Sequence, residues 1–313
     1  MRAVQINQYG GTEVIKVNQD IPKPSVQPGQ VLVEVHAVSL NRIDSFLRSG
    51  YLQQMMPMQL PLTLAGDFAG TISEVGEGVT DFKVGDEAYG QAGVYQGGSG
   101  SLAEFTVAAS GKVAKKPTTV GMNEAASLPL VGASAIQGLE EHIQTKTGQN
   151  ILIHGGAGGI GSLAIQLAKF HGAYVAATVA DSEADFAKSL GANQVIDYTT
   201  QDFTKVLKDF DAVFDLVGGE TATKSFKVLK KGGVLVSMAG QPDQQLAKEH
   251  EVTAIAQMTQ TSTRQLIRLA ELVDSGKIKP QVDKVFAFTE AKEAFDYFEQ
   301  EHPKGKVGLK LKF

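Results

Sequence analysis

A glycine-rich stretch between an apolar run and a helical pattern suggests chemistry most directly. Residues 151–169 read ILIHGGAGGIGSLAIQLAK, in which Gly156, Gly158 and Gly161 have the spacing G-x-G-x-x-G. In that pattern the glycines permit a tight turn, a close approach of the backbone to a diphosphate, and close packing of helix on strand. The N–H groups and positive dipole end of the helix then bind the anion. The stretch predicts a dinucleotide-binding turn; the alternative is a glycine turn that only joins strand to helix.

The next strand-like run, AYVAATVADSEAD, ends where a dinucleotide's ribose is recognised. An acidic residue there binds the ribose 2′-hydroxyl of NAD, whereas a basic or hydroxyl residue suits the 2′-phosphate of NADP. Asp181 and Ser182 follow the predicted strand end, and the first lysine or arginine after them is Lys188. Asp181 and Ser182 could equally cap the following helix. The residues leave the choice between NAD and NADP open.

The remaining residue types exclude several other chemistries. Cysteine is absent, so the chain has no disulfide, thiol nucleophile or thiolate metal ligand. The six histidines are scattered without metal-type spacing, and no G-x-S-x-G supplies a nucleophile elbow. No tyrosine is followed four positions later by lysine, as in short-chain dehydrogenases. A bound cofactor is therefore expected to carry the reactivity.

Composition describes an ordinary globular protein. The chain has 313 residues, of which 42% are hydrophobic and 20% charged, and this length suggests about two domains. No apolar run approaches the roughly 20 residues of a membrane span, and the start lacks a secretory pattern. The predicted compartment is the cytoplasm, without a membrane partner. A net charge of −5 gives no attraction to phosphate polymers, so nucleic acid is not an expected partner.

Two patterns of hydrophobic residues divide the chain. Up to about Met122, short alternating runs such as VLVEVHAV and LAEFTVAA are separated by glycine and proline, which indicates an antiparallel β domain. From Asn123 onward, apolar runs alternate with helical segments, which is typical of βαβ units on a parallel sheet. The pattern is weak between Gln241 and Thr263, and a domain boundary is left open there.

These segments together resemble the medium-chain dehydrogenase/reductase superfamily, and within it the zinc-independent quinone oxidoreductase group that includes the zeta-crystallins. The similarity runs through VLVEVHAVSLNRID, LAGDFAGTISEVGEGVTDFKVGDEAYG, SLPLVGASAIQGL, the glycine motif, AKSLGANQVIDY, LVDSGKIKPQVDKVF and KGKVGLKL. It implies an α/β fold with a Rossmann-type parallel-sheet domain at residues 123–262. It also implies a GroES-like antiparallel β domain built from residues 1–122 and 263–313, and a homodimer.

The resemblance also bears on metal and cofactor. Zinc-dependent relatives carry a cysteine where this chain has Asn41 and a histidine where it has Asp67. An amide and one carboxylate do not form the usual tetrahedral zinc site, so no zinc is expected. NADPH is the cofactor that the family implies, with NADH as the alternative, because Ala180 and Asp181 stand where many NADPH users have basic or hydroxyl residues.

Catalytic candidates follow from the same resemblance. It places Asn41 and Asp44 beside the nicotinamide and Tyr51 over the substrate. Alternatively, the first two residues cap a turn and Tyr51 is a loop residue. Some relatives have a lysine where this chain has Phe46, and Arg48 is the nearest substitute.

Cofactor contacts are implied by the resemblance as well. Tyr198 and Val217 have the alternative of ordinary packing at strand ends. Beyond the motif glycines, Asp181 and Ser182, the implied contacts are Gly159 and Ile160 at the diphosphate, Ser134 on the nicotinamide side, Tyr198 near the adenine, Val217 at the ribose, Ala239 at the nicotinamide amide, and Lys306 from the C-terminal strand.

Without a Lewis acid, an electron-poor carbon is the expected hydride acceptor. Quinones and α,β-unsaturated carbonyls delocalise the incoming charge onto oxygen, so hydrogen-bond donors suffice to stabilise it. The resemblance therefore implies an NAD(P)H-dependent oxidoreductase acting on such small molecules, with an enoyl or 2-alkenal reductase as a variant. The alternative from another class is a crystallin-like protein that binds NAD(P)H without significant turnover.

Overall fold

The computed structural model describes residues 1–311, which form two compact units. The first unit contains Met1–Leu130, Thr261–Gly276 and the described residues from Pro280 onward; the second contains Val131–Gln260 and Lys277–Lys279. Residues 123–130 lie with the first unit, whereas the sequence-based division assigns them to the second domain.

Strands and helices are distributed along the whole chain. The strands, in order, are β1 (Ala3–Ile6), β2 (Ile15–Asn18), β3 (Gln30–Ser39), β4 (Leu62–Thr63), β5 (Asp67–Val75), β6 (Glu87–Gln91), β7 (Phe105–Ala109), β8 (Val113–Lys115), β9 (Asn150–His154), β10 (Tyr174–Val179), β11 (Gln194–Asp197), β12 (Phe210–Asp215), β13 (Leu229–Ser237), β14 (Thr253–Ala256), β15 (Val282–Ala287) and β16 (Lys306–Lys310). The α-helices are α1 (Arg42–Ser49), α2 (Met122–Ala126), α3 (Pro129–Ile136), α4 (Gly159–Phe170), α5 (Ala184–Ser189), α6 (Phe203–Val206), α7 (Gly219–Ser225), α8 (Gln244–Glu249), α9 (Thr263–Asp274) and α10 (Ala291–Gln300).

The first unit is built around a mostly antiparallel sheet in the order β15-β16-β3-β5-β6-β8, in which β7 also pairs with β3. A smaller sheet has the order β2-β1-β4. Strand β16 runs antiparallel to β3, with Gly308 opposite Ser39, and the Leu40 N–H donates to Val307 O at 3.0 Å. This register brings the start of β16, a segment near the C-terminus, beside residues that immediately follow β3.

The second unit contains a parallel sheet in the order β11-β10-β9-β12-β13-β14. Its central strand β9 is apolar and buried because helices cover both faces of such a sheet. Strand order reverses between β9 and β12, and ligands bind parallel sheets at the carboxyl ends of strands beside such a reversal. The predicted α/β fold, with a Rossmann-type parallel sheet and a separate antiparallel β domain, is confirmed.

The stretch left open between Gln241 and Thr263 contains α8 and β14. Strand β14 is four residues long, lies at the end of the sheet order and is only half-buried. A short, half-buried edge strand has neither clear alternation nor a continuous apolar run, which explains the weak sequence signal. Within residues 1–311, no helix is both long and apolar enough to span a bilayer.

Candidate active site

A group of buried polar side chains lies where four elements of the first unit meet. We call it the polar cluster, and its members are Asn41, Asp44, Asp67, Gln91 and Lys306. Asn41 precedes α1, Asp67 begins β5, Gln91 ends β6 and Lys306 begins β16. Strand pairing sets Asp67 opposite both Ser39 and Gln91, so the sheet register itself assembles the cluster.

The Asn41 side chain connects a cation to an anion. Its Oδ1 accepts a hydrogen bond from Lys306 Nζ at 2.6 Å, and its Nδ2 donates to Asp67 Oδ2 at 2.9 Å. Lys306 Nζ also donates to Leu40 O, and it lies 3.9 Å from Asp67 Oδ2. These two partners fix the orientation of the Asn41 amide, because only its oxygen can accept from an ammonium and only its nitrogen can donate to a carboxylate.

The Asp67 carboxylate is fully buried and accepts several hydrogen bonds. Its Oδ1 accepts from Gln91 Nε2 at 2.8 Å and from the Leu130 N–H at 3.1 Å. Burial nevertheless raises the pKa of the Asp67 carboxyl above its usual range, although Lys306 and the hydrogen bonds oppose that shift. Sequence reasoning treated Asp67 only as a missing zinc ligand and did not assign it to the site.

Asp44 closes the first turn of α1. Its Oδ2 accepts from the Asn41 N–H at 2.7 Å, while the Asp44 N–H donates to Asn41 O at 2.9 Å. Thus Asp44 does cap the helix, whereas the Asn41 side chain turns to Lys306 and Asp67 instead. Burial and, to a smaller extent, the Asp67 charge raise the pKa of Asp44 to about 7, against the effects of the Asn41 N–H and the Lys306 ammonium.

The cluster can hold a proton near neutral pH. Burial also lowers the pKa of the Lys306 ammonium, which Asp67 and Asp44 partly offset. Two carboxyl groups with raised pKa values and an ammonium with a lowered one therefore titrate as a connected set. Shifts of this kind are typical of sites that transfer protons.

Tyr95 lies next to the cluster and was missed by sequence reasoning. Burial raises the pKa of its phenol above the usual range, and the charges of Asp44 and Asp67 act in the same direction. The phenol therefore stays protonated and can donate a hydrogen bond. Its ring packs closely on Gly93, where an added Cβ would come within 2.6 Å of a ring carbon. No motif marks this residue, which lies in the short 3-10 helix Val94–Gln96 after β6.

Two residues considered with the catalytic candidates lie apart from the cluster. Tyr51 is 74% exposed, and its ring lies 5.0 Å from that of Phe46. Arg48 is buried and donates to both carboxylate oxygens of Glu299, at 2.7 and 3.0 Å, and to Gly10 O at 2.8 Å. Arg48 is thus committed to an ion pair between α1 and α10, so it does not substitute for the lysine at the position of Phe46.

The donor set of the cluster does not fit a zinc ion. Asn41 and Asp67 stand where zinc-dependent relatives carry ligands, and the Lys306 ammonium already contacts Asn41 Oδ1 at 2.6 Å. A divalent cation beside that ammonium would be repelled, and zinc prefers nitrogen and sulfur ligands. These residues therefore do not form a zinc site.

The glycine motif forms a turn between β9 and α4 in the second unit. The Gly156 N–H donates to Thr178 O of β10 at 3.1 Å, and the Gly158 N–H donates to Gly155 O at 3.2 Å and so closes the turn. An added Cβ at Gly161 would lie 2.2 Å from Gly155 O, so only glycine fits there. At Gly158, by contrast, the atom nearest to an added Cβ is Gly155 O at 3.6 Å, an ordinary contact distance, and the residue is exposed.

This turn has the features needed to hold a diphosphate. The first N–H groups of α4, at Gly159 and Ile160, have no carbonyl partner in a preceding turn and lie at the positive end of the helix dipole. The open face of Gly158 allows a ligand to approach the backbone closely. The residues present therefore fit a dinucleotide.

Other predicted cofactor contacts lie after neighbouring strands. Asp181 and Ser182 are exposed and begin a 3-10 turn after β10, and the cap of that turn is the Glu183 carboxylate, which accepts from the Ala180 N–H at 3.0 Å. Tyr198 follows β11 and is also exposed. These residues therefore lie at the same edge of the sheet as the glycine turn.

The remaining four predicted cofactor contacts differ in their surroundings. Val217 and Ala239 follow β12 and β13 and are exposed at that edge. Ser134 is fully buried in α3, where its hydroxyl bonds with Thr259 Oγ1 at 2.7 Å. Lys306 is a residue of the first unit and a member of the polar cluster.

Sequence comparison places the chain in a known class. Residues 27–118 match the alcohol dehydrogenase GroES-like domain, and residues 190–308 match the family described as zinc-binding dehydrogenase. An NADPH-dependent alkenal/one oxidoreductase of Arabidopsis thaliana chloroplasts is 36% identical over 98% of this chain and 78% of its own length. A 2-methylene-furan-3-one reductase of Solanum lycopersicum is 37% identical over the same shares.

Solved structures agree with this. The quinone oxidoreductase of Coxiella burnetii, 34% identical, covers 100% of this chain and 99% of its own with a TM-score of 0.90. The Escherichia coli quinone oxidoreductase complexed with NADPH, 27% identical, covers 99% and 100% with a TM-score of 0.88. The fold and site define a dehydrogenase with a GroES-like and a Rossmann-type domain. The chain belongs to the zinc-independent quinone oxidoreductase group of the medium-chain dehydrogenase/reductase superfamily.

Proposed function

We propose that this protein is an NADPH-dependent oxidoreductase that reduces quinones or α,β-unsaturated carbonyl compounds. The observation that carries the proposal is the polar cluster, in which an ammonium and two carboxyl groups are buried around Asn41 without a zinc-type donor set. Its second support is the glycine turn of the parallel sheet. Its third is the family, whose members include enzymes named for alkenal, enone and quinone reduction.

NADPH is the proposed cofactor because a relative is named as NADPH-dependent and a structural neighbour was solved with NADPH. Gly156, Gly158, Gly159, Ile160 and Gly161 would hold its diphosphate through backbone groups. The exposed Asp181 opposes a 2′-phosphate by its charge, whereas Ser182 can donate to one. NADH therefore stays the alternative that the assay below compares directly.

The reaction also needs groups for charge and for a proton. When bound, the reduced nicotinamide supplies a hydride, and the acceptor gains negative charge on oxygen that one proton then neutralises. In the proposed site Lys306 provides positive charge, Asp44 stores a proton near neutral pH, and the Tyr95 phenol donates a hydrogen bond. Asn41 holds the side chains of Lys306 and Asp67 in place through its two hydrogen bonds, so that the ammonium stays buried and oriented.

The acceptor is the finer part of the proposal. Two relatives with 36% and 37% identity are named for alkenal/one and furanone substrates, which favours an enone or 2-alkenal over a quinone. The contrasting hypothesis is a crystallin-like protein that binds NAD(P)H without significant turnover. A pure binder would quench the cofactor's fluorescence without consuming it.

The test is the loss of nicotinamide absorbance with purified protein. NADPH and NADH are each supplied with one quinone and one short-chain enone, with and without a chelator. We expect turnover that the chelator leaves unchanged, and a higher kcat/KM with NADPH than with NADH. Tight NADPH binding without turnover of either acceptor would favour the binding protein, and no binding of either cofactor would reject both.

Assembly and compartment are proposals as well. A homodimer is proposed, and β14 supports it because it ends the strand order of its sheet and is only half-buried. Light scattering coupled to size-exclusion chromatography tests the dimer, since a 33.2 kDa mass throughout the peak would reject it. The cytoplasmic location stays a prediction for cell fractionation, and the Arabidopsis relative is named as chloroplastic.

A further inference from the structure

The turns that follow β12 and β13 are joined by one buried carboxylate, Asp215. It is the last residue of β12 and is completely buried. Its Oδ1 accepts from the N–H groups of Val217 and Gly218 at 3.1 and 3.0 Å. Its Oδ2 accepts from Gly218 N–H at 3.1 Å and from the Ser237 hydroxyl at 2.8 Å. One side chain thus holds the turn after its own strand and reaches the end of the next.

Ser237 extends this connection to the second turn. Its hydroxyl donates to Asp215 and accepts from the Ala239 N–H at 3.2 Å. The Asp215 carbonyl also accepts from the Met238 N–H at 2.9 Å. Asp215 therefore holds the backbone of both turns, the one that follows β12 and the one that follows β13.

The two turns also pack closely on each other and on the glycine turn. An added Cβ at Gly218, which has a φ of +81°, would come within 2.7 Å of Ala239 Cβ. An added Cβ at Gly155 would lie 3.5 Å from a methyl group of Val217. A shift of the Val217–Gly218 turn would therefore be transmitted both to Ala239 and to the start of the glycine turn.

We propose that Asp215 is the positioning residue of the cofactor site, holding the Val217 and Ala239 turns in the conformation that NADPH binds. This rests on the proposed function and on the contacts that the family resemblance implies, Val217 at the ribose and Ala239 at the nicotinamide amide. A carboxylate suits the task because it has several lone pairs, accepts four hydrogen bonds from three donors here and donates to none. An asparagine of the same size has only one oxygen and would place an N–H donor against backbone N–H groups.

The test compares Asp215→Asn with Asp211→Asn by titrating each cofactor-free, full-length protein with NADPH and following nicotinamide fluorescence. Asp211 is a matched control at the opposite end of β12, where its carboxylate likewise accepts a backbone N–H, that of Asn150 at 2.8 Å. We expect Asp215→Asn to raise the Kd for NADPH roughly tenfold or more, since hydrogen bonds to a charged group are lost. The KM for the acceptor should stay within about twofold of wild type, and the control should bind NADPH within about twofold.

Stability is measured on the same variants by urea unfolding, because a merely structural residue would change stability without a selective effect on cofactor affinity. An unchanged Kd in Asp215→Asn, or an equal rise in Asp211→Asn, would overturn the proposal. If wild type binds neither NADPH nor NADH, the proposed function fails instead, so the two failures are distinguishable.

A second pair of variants covers the case in which Asp215→Asn does not fold. Ser237→Ala removes the hydroxyl between Asp215 and Ala239, and its control Ser225→Ala removes another buried hydroxyl, which bonds to Thr221 O at 2.7 Å. We expect Ser237→Ala to raise the Kd for NADPH about threefold to tenfold and Ser225→Ala to leave it unchanged. Equal affinities in the two variants would contradict the proposal.

Discussion

The two units of the protein prepare for negative charge in opposite ways. In the first unit, buried side chains do this: Lys306 supplies a cation, and Asn41 and Asp67 hold it in place. In the second unit the backbone does it, through N–H groups of a glycine turn that carries no charged side chain. The first arrangement can change protonation and so take part in chemistry, whereas the second can only bind. Substitutions in the two regions should therefore separate turnover from cofactor affinity.

Lys306→Met gives the largest expected effect on this comparison. It removes the buried cation and leaves Asp67 and Asp44 without their positive neighbour. We expect kcat to fall roughly 100-fold or more, in the range of a lost electrostatic stabiliser of the developing negative charge, while the Kd for NADPH changes less than about threefold. Turnover and fluorescence titration measure the two quantities separately.

The control for this variant is Lys310→Met, since Lys310 lies on the same strand and is exposed. Removal of one partner from a buried ion pair can prevent folding, so the double variant Asp67→Asn/Lys306→Met is made in parallel. A raised Kd for NADPH with normal kcat would instead support the family's assignment of Lys306 as a cofactor contact.

Gly161→Ala tests the backbone site in the same manner. Its Cβ would lie 2.2 Å from Gly155 O, so the turn must move, and we expect a loss of about 1–3 kcal/mol of unfolding free energy together with weak NADPH binding. Gly158→Ala is the paired variant, because its Cβ meets nothing closer than 3.6 Å. It should fold with normal stability and still bind NADPH poorly, since the methyl group occupies the face that a diphosphate approaches. Normal NADPH binding by Gly158→Ala would remove the glycine turn from the cofactor site.

The pH profile of turnover gives an intermediate effect that only the side-chain site should show. Burial raises the pKa of Asp44 to about 7, so its carboxyl loses its proton as the pH rises through neutrality. We expect kcat for enone reduction to fall by roughly tenfold per pH unit above that value, if one proton is required. Asp44→Asn should have a lower kcat that no longer changes with pH near 7, whereas exposed Asp81→Asn should keep the wild-type profile. If kcat of Asp44→Asn still decreased above pH 7 as in wild type, another group would be responsible for the pH dependence.

The two regions also differ in how far sequence predicts them. The glycine turn and its strands are local: strand, turn and helix lie within residues 151–169, so spacing and apolar runs suffice to predict them. The polar cluster depends on sheet register, because Asn41 bonds to residues 26 and 265 positions away. The family resemblance implied Asn41, Asp44 and Lys306 separately, but nothing in the sequence showed that Asn41 bonds to both Lys306 and Asp67.

Polar residues without a motif were the other omission. Gln91, Tyr95 and Asp215 look ordinary in the sequence, since glutamine, tyrosine and aspartate occur on many surfaces. Their importance comes from burial and from partners brought by neighbouring strands. Arg48 is the opposite case. The sequence suggests it as a substitute for the lysine at the position of Phe46, but in the structure it is paired with both carboxylate oxygens of Glu299.

The smallest expected effect is the pH dependence of the unfolding free energy, to which one residue in each unit contributes with opposite sign. His154 is buried in β9 between Thr178 and Ser225, and burial lowers the pKa of its imidazole to about 4, against the charge of Asp215. A lowered pKa in the folded state means that its stabilising contribution is complete above about 6.5 and is lost as the pH falls through 4. The raised pKa of Asp44 has the reverse consequence: that contribution is complete below 3.8 and is lost as the pH rises through about 7.

Urea unfolding between pH 4 and 6.5 should therefore show a loss of up to about 1.4 kcal/mol per pH unit from His154 as the pH decreases. His154→Gln, whose amide can serve both hydroxyl partners, should reduce that slope, and exposed His302→Asn should not. If fluorescence of the tyrosines and near-UV circular dichroism resolve separate unfolding of the two units, the slope should belong to the second unit. An identical slope in His154→Gln would mean that other groups set the acid sensitivity, and the contrast between the units would then rest on Asp44 alone.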